Sequence, residues 1–578
     1  MTTASRRAAG PPAAPSPGPA VGPPAGPAVG PPAGPPVGPP AAELIDSGFY
    51  LENADAPILH HGMNLADLAH LLDLASSGVI PPDAARRLLA LLLEVSEIPA
   101  GDFPYDPANG EPYNSRERYF VSRVGDVAGW LHAGRPRREA VRVAFRLRLR
   151  DDLADLIEAA AALAASLADR AREHAGTLMA DQTYLQHAQP STFGHYILSF
   201  AFPVLRGGRR LSEAMAWTDA SPGGAGCVNG TRLRADRRHV AALLGFRTVA
   251  EHTRDAMWQV DGLFDMVGAA AGLVLTQSKL AEDLEIWASQ EFDYVTLADG
   301  YSRASVLMPQ KRNPYALSII RGAAGTLTGR LAGLLAVAKT PSARSDNLIF
   351  AYGEVPRALD LALRTTRLST GVVRTLEVNA SRMRAALESG FSQATDLAEY
   401  VMQTCQIDYR SAYRVVGHAV RQASVLGLRG SDIDGALLDA SAVEIIGRPL
   451  GLTGHDLTAA LDPWQIVVSR TTLGGAAPDE VIRMAGQAAA QARELADEAR
   501  RWRETYRAAE DALLAAARRG AAGGGAAGGA AGGGGAPGGG GAPGGTADGG
   551  APGGTADGGA PGGTADGGQD TGFSRNGA

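Results

Sequence analysis

The run from Arg137 to Ala175 contains neither glycine nor proline and is dense in alanine, leucine and arginine. Such residues lose little side-chain freedom in a helix, so the run predicts one helix of roughly 55 Å at 1.5 Å per residue. Within it Val141, Phe145, Leu149, Leu153 and Ile157 recur every fourth position, the spacing of a single buried stripe. A second helical run extends from Arg254 to Ser289 and a third from Pro314 to Lys339. No proline interrupts the chain between Pro136 and Pro190 or between Pro222 and Pro309. Period-two alternation and hairpin turn signals are scarce. The pattern predicts a mainly α fold whose long helices pack along one another, either within one chain or in a bundle shared by an oligomer.

The two ends follow a different pattern. Of 36 prolines, 14 fall in residues 1–42, where AVGPPAGP repeats with a period of eight. That period excludes collagen, which needs glycine at every third residue. Of 73 glycines, 28 fall in residues 520–578, where APGGTADGG occurs three times over 542–568. Both ends read as disordered or semi-extended tethers. Between them we expect a helical N-terminal domain over 43–135, a central bundle over 136–378 and a helical C-terminal domain over 379–519.

Composition narrows the function classes. The net charge of −7 offers nothing to neutralise a phosphate backbone, so no nucleic-acid partner is expected. Apolar runs such as Met266–Leu275 are far below the ~20 residues needed to span a bilayer. The N-terminus shows no apolar signal segment. Two cysteines, Cys227 and Cys405, make neither a disulfide framework nor a cysteine metal cluster. A reducing cytoplasm is the expected compartment. Of 54 basic residues only Lys279, Lys311 and Lys339 are lysines. A lysine retained in so arginine-rich a chain is a candidate for a specific task.

One of those lysines sits in a segment of candidate chemistry. Residues 305–314 read Ser-Val-Leu-Met-Pro-Gln-Lys-Arg-Asn-Pro, ahead of the third helical run. A hydroxyl, an ammonium and a carboxamide at a helix entrance suit an anion, because free N–H groups and the helix dipole favour negative charge there. On spacing alone, a capped helix start with a solvated lysine is the favoured reading.

The segment resembles the signature Gly-Ser-Ser-x-Met-Pro-x-Lys-x-Asn-Pro of the fumarase/aspartase superfamily. Its surroundings resemble the argininosuccinate lyase branch: Leu280-Ala281-Glu282-Asp283-Leu284 with Trp287, Thr183-Tyr184-Leu185-Gln186-His187-Ala188-Gln189-Pro190, His132-Ala133-Gly134-Arg135-Pro136-Arg137-Arg138-Glu139, Ala394-Thr395-Asp396 and Leu461-Asp462-Pro463. The resemblance covers roughly residues 43–505. It implies a homotetramer with each active site assembled from three chains, β-elimination from a substituted succinate with release of fumarate, and no cofactor or metal. It also implies roles. Ser305 is the general base, Lys311 and Asn313 stabilise the aci-carboxylate dianion, and Thr183 binds a substrate carboxylate, with Gln186 beside it.

The departures are as specific as the matches. The branch's catalytic histidine falls on Tyr184, and the glutamate that pairs with it falls on Ser318. Tyrosine titrates near ~10, so Tyr184 suits donating a hydrogen bond better than shuttling a proton at neutrality. His187 lies three residues on and is a substitute acid if the segment is helical. Arg137 is kept, but the family's Ser, Asn and Asp around it fall on Pro136, Arg138 and Glu139. Paired arginines suit a more anionic substrate. His252 opens a segment in which the family has Asn-Ser-x-Asp-Ala, and is a second candidate donor. The positions that read the guanidino end of argininosuccinate fall on Arg344, Ile349 and Tyr352. The expected activity is therefore elimination from a different N-substituted succinate, in specialised metabolism. The alternatives are argininosuccinate lyase itself and a catalytically silent structural homologue.

Overall fold

The structure, a computed structural model, describes residues 39–342 and 348–523. The repeats of both ends and Arg344 lie outside these residues. The elements that place the site are α1 (Tyr50–Ser76), α2 (Pro82–Ser96), α3 (Pro112–Val124), α4 (Arg137–Glu173), β1 (Leu178–Thr183), β2 (Gln186–Thr192), α5 (Ala201–Thr218), α6 (Thr253–Trp258), α7 (Asp261–Trp287), β3 (Arg303–Ala304), β4 (Arg312–Asn313), α8 (Tyr315–Ala338), α9 (Ile349–Thr375), α10 (Ala394–Cys405), α11 (Tyr409–Val425), α12 (Gly435–Ile446) and α13 (Pro478–Ala521). Among the described residues the strands form only two-stranded pairs, so the fold is mainly α. No described helix is long and apolar enough to cross a membrane.

Helix α4 runs 37 residues, from the first residue after Pro136 to just before Gly176. Phe145, Leu149, Leu153 and Ile157 are buried as their spacing predicts, and Val141 is half-buried. Burial does not stop at that stripe. Leu147, Leu156 and Leu163 are buried too, because α1, α5, α9 and α13 pack around α4. It is the central rod of a bundle rather than a one-sided amphipathic helix.

Three arginines on α4, Arg142, Arg146 and Arg150, are also buried. Arg146 donates to the carbonyl oxygens of Ala220 (2.8 Å) and Trp217, and its guanidinium lies 3.8 Å from the Trp217 ring centroid. Arg150 donates to the Leu244 carbonyl at 3.1 Å and lies 3.9 Å from the Tyr506 ring centroid. Carbonyls and aromatic faces thus take the place of water around much of both cations, and Arg150, whose Nε has no hydrogen-bond partner, also lies 3.6 Å from the Asp219 carboxylate.

The second helical run is interrupted. Gln259 is extended (ψ 147°), which separates α6 from α7. The third run matches α8 closely. Residues 397–461 enclose an apolar cluster of their own, while α13 returns to lie along α4 and α2. At the head of the bundle Asp67 of α1 is fully buried. It accepts from Arg116 (2.8 Å) and Tyr113 (2.5 Å) of α3 and from Arg135 (2.5 Å), just before α4. The two guanidiniums hold its carboxyl below the usual range even though burial opposes ionisation.

Candidate active site

Ser305, Lys311 and Asn313 occupy one hairpin. Arg303 pairs with Asn313 and Ala304 with Arg312, which leaves residues 305–311 as a loop. The Ser305 N–H donates to the Lys311 carbonyl at 3.1 Å, and the Lys311 N–H to the Met308 carbonyl at 3.0 Å, so the loop is closed by its own backbone. The Ser305 hydroxyl oxygen accepts from the N–H groups of Met308 (3.0 Å) and Leu307 (3.3 Å). These donors belong to the loop, not to the first turn of α8. Two N–H groups on one hydroxyl oxygen favour its alkoxide form, the form a serine needs in order to act as a base. Asn313 donates from Nδ2 to the Arg303 carbonyl at 3.1 Å. The loop projects Val306 and Leu307 into solvent. Ser318, one turn into α8, is exposed.

Thr183, Tyr184 and Gln186 occupy a second hairpin. Thr183 pairs with Gln186 and Gln182 with His187, so the segment is strand and turn rather than helix. Tyr184 and His187 therefore do not share a helical face. Tyr184 and Leu185 form the turn with φ of 54° and 59°. Left-handed backbone costs non-glycine residues roughly 1–2 kcal/mol each. Such strain at the tip of a hairpin, with Tyr184 98% exposed, marks a presented residue.

Arg137 and Arg138 open α4. Arg137 is held by Glu111 (3.2 Å), Asn114 and Glu117 (3.6 Å). Arg138 lines a cleft between α1, α3, α4 and α9, together with Asp55, Glu111, Ile349 and Tyr352.

Sequence reasoning passed over the neighbouring loop, 222–230. Four glycines, Gly223, Gly224, Gly226 and Gly230, stand in these nine residues, and that density was the available signal. Gly226 has φ +64°, and a Cβ there would meet the Gly230 carbonyl oxygen at 2.7 Å. Glu139 organises the loop, with its two carboxylate oxygens accepting from Gly224 and Gly226 N–H at 2.6 Å each. Burial pushes the Glu139 carboxyl up to about 7, against the pull of Arg135 and these N–H groups. Helix α6 docks on the same loop, Thr253 Oγ1 donating to the Val228 carbonyl at 2.9 Å. His252 caps α6, its Nδ1 accepting from Arg254 N–H at 3.2 Å and Asp255 N–H at 3.4 Å. Its ring proton therefore sits on Nε2, which remains available as a donor.

These pieces lie at opposite ends of α4. Arg137 and Arg138 are at its start, whereas the Tyr184 hairpin follows its last turn. At 1.5 Å per residue the helix between them is about 54 Å long. The Ser305 hairpin belongs to the far end as well. Helix α7 reaches it through Trp287, which packs on Tyr196 at 4.4 Å between centroids, and Arg170 of α4 donates to the Leu376 carbonyl at the end of α9. One chain does not bring the cleft and the two hairpins together. Among the described residues no cluster of three His, Cys, Asp or Glu is placed to hold a metal ion.

Residues 69–329 match the family model described as lyase, and 391–468 match that of the argininosuccinate lyase C-terminal region. Argininosuccinate lyase of Methanoculleus marisnigri is 35% identical over 422 residues, covering 72% of this chain and 84% of that protein. The enzyme of that name from Symbiobacterium thermophilum is 34% identical over 424 residues, 73% of this chain and 90% of its own. Among solved structures, EDDS lyase in complex with formate superposes with a TM-score of 0.75 at 28% identity, covering 84% of this chain and 97% of that one. Fumarate lyase from Mesorhizobium sp. BNC1 shares the fold (TM-score 0.62, 20% identity, 76% of this chain and 98% of that one).

Proposed function

The chain belongs to the argininosuccinate lyase-like branch of the fumarase/aspartase superfamily and is a carbon–nitrogen lyase that releases fumarate; from that premise we propose that it acts on an N-substituted aspartate other than argininosuccinate. Ser305 takes the proton from the carbon beside a carboxylate. The electron pair moves into that carboxylate, and the resulting dianion is met by Lys311 and Asn313. The pair then returns, the C–N bond breaks, and the nitrogen leaves with its bonding electrons and gains a proton. Thr183 and Gln186 bind the carboxylate side. Tyr184 offers the leaving nitrogen a hydrogen bond in place of an imidazole.

The observation behind this reading is the Ser305 loop. Its hydroxyl sits under two N–H groups, with Lys311 at the mouth, while the leaving-group side has Tyr184 and Ser318 where the branch has a His/Glu pair. A leaving group of low basicity suits a site without that pair, and this points to specialised metabolism in the cytoplasm. The length of α4 between these pieces, about 54 Å, calls for sites shared between chains, as in a homotetramer. Leu275 of α7 with Ile319 and Leu335 of α8 offers apolar surface for such an assembly.

The names of the relatives favour a second reading, argininosuccinate cleavage to arginine and fumarate. One assay separates the two: fumarate absorbance followed over a panel of N-substituted aspartates and argininosuccinate, with Ser305→Ala as control. Release from another panel member but not from argininosuccinate supports the proposal. Release from argininosuccinate overturns it.

A further inference from the structure

Glu139 follows Arg137 and Arg138 in the first turn of α4, yet its side chain serves the other half of this end of the molecule. Its two carboxylate oxygens are taken by the glycine loop, one by the Gly224 N–H and one by the Gly226 N–H, at 2.6 Å each. Left-handed backbone at Gly224 (φ +72°) and Gly226 (φ +64°) bends the loop around that carboxylate, a conformation that favours glycine. The loop in turn holds the segment that presents His252. Arg237 donates to the carbonyls of Gly223 (3.1 Å), Ala250 (2.7 Å) and Glu251 (3.2 Å), and the Trp258 indole N–H donates to that of Cys227 (2.9 Å). With the bond from Thr253 to Val228, the loop, His252 and α6 form one stitched unit, and Glu139 ties that unit to the start of α4.

The tie is sensitive to one proton. Two N–H groups need two acceptors, and an ionised carboxylate supplies both. A protonated carboxyl turns one oxygen into a donor, so one N–H loses its partner at a residue only 1% exposed to water. The charged groups that face Glu139 are the guanidinium of Arg135, from the segment before α4, and that of Arg237, from the helix Arg237–Leu243. Both favour the ionised form, but burial outweighs them and brings the carboxyl up to about 7. His70, buried beside Arg135, is held neutral by burial and does not compete for the proton.

We propose that ionised Glu139 is the positioning residue that sets His252 against Arg137 and Arg138, and that a proton on Glu139 releases this setting. The inference deepens the lyase reading and rests on it, with these three residues serving the substrate. Glu139 itself touches no substrate, because both of its oxygens are spent on the loop. Ligand affinity then follows the fraction of chains in which Glu139 is ionised. For a group at about 7 that fraction is about 0.9 at pH 8 and about 0.1 at pH 6. The apparent Kd therefore rises by up to about tenfold over that span. The elimination step, carried out at the Ser305 loop, does not follow the charge on Glu139.

The test uses the full chain. Fumarate binding is followed by calorimetry from pH 6 to pH 8, and KM and kcat are measured over the same range with argininosuccinate and N-(carboxymethyl)aspartate. Wild type should lose about tenfold in Kd and KM from pH 8 to pH 6. Glu139→Gln keeps the shape but offers one acceptor. It should bind at pH 8 as weakly as wild type at pH 6, change by less than about twofold across the range, and keep kcat within about twofold of wild type. Glu139→Asp restores the charge and should restore the pH dependence. His132, paired with Glu117 at 3.4 Å, and His252 both stay in place in Glu139→Gln, so a profile that persists in that variant is theirs and overturns the proposal. A flat wild-type Kd overturns it as well. Positioning is read from a double variant: His252→Ala added to Glu139→Gln should cost less than the product of the two single losses, and a full product overturns the link to His252. If Glu139→Gln does not fold, the wild-type profile and its displaced midpoint in Glu139→Asp decide, an undisplaced midpoint overturning the proposal. The expected Kd profile without fumarate from either substrate leaves Glu139 in its role and counts against the lyase reading instead.

Discussion

The Ser305 N–H donates to the Lys311 carbonyl at 3.1 Å, which closes one loop and holds the two residues opposite each other at its neck. Neither residue is part of the core, so their removal separates chemistry from stability. Ser305→Ala and Lys311→Met are each expected to lower kcat for fumarate release by about 10²–10⁴-fold. The midpoint of thermal unfolding should stay within about 2 °C of wild type, because surface changes rarely exceed ~0.5 kcal/mol. A large drop in melting temperature would mean that the loop is structural.

Tyr184 and Leu185 hold a turn that asparagine and glycine adopt more readily. Replacing the pair by Asn-Gly should raise stability by up to about 1 kcal/mol in denaturant unfolding. The same change removes the presented phenol and should lower fumarate release at least about tenfold. Undiminished activity would take Tyr184 out of the mechanism.

Glu139 predicts a pH dependence. Its folded-state value of about 7 lies above the ordinary 4.5, so the folded chain binds more protons than the unfolded one between those values. Stability from this group is complete below about 4.5 and is lost as pH rises through 7, about 3 kcal/mol in all. Asp152, pushed up to about 7 by burial beside Arg148, adds a slope of the same sign. Urea unfolding at pH 5 and pH 8 should therefore show a smaller difference in Glu139→Gln than in wild type. An unchanged difference would place Glu139's proton elsewhere.

Asp67 answers two buried guanidiniums. Asp67→Asn removes the carboxylate that both ion-pair with and should cost about 3–5 kcal/mol in chemical denaturation. A loss below about 1 kcal/mol would show that water reaches the group.

The long helices were legible because their runs exclude glycine and proline, and the Ser305 segment because its motif is local. Other features depend on tertiary context. The turn at Tyr184 and Leu185 has none of the residues that announce a hairpin, so its pairing could not be read from the chain. The break at Gln259 has no helix-breaking residue to announce it. Arg142, Arg146 and Arg150 read as solvent-facing by type, yet each is buried among aromatic rings, and for Arg146 and Arg150 among carbonyls as well. The glycines of 222–230 were visible, but the partner that explains them, Glu139, lies more than eighty residues away.

The length of α4 has a consequence for mixtures of defective chains. A protein damaged at Tyr184 and one damaged at Arg138 are spoiled at opposite ends of the same rod. Where sites are completed by different chains, co-assembly of the two leaves some sites with every piece intact. Two preparations that are each inactive should then regain measurable fumarate release when unfolded and refolded together, and neither should do so alone.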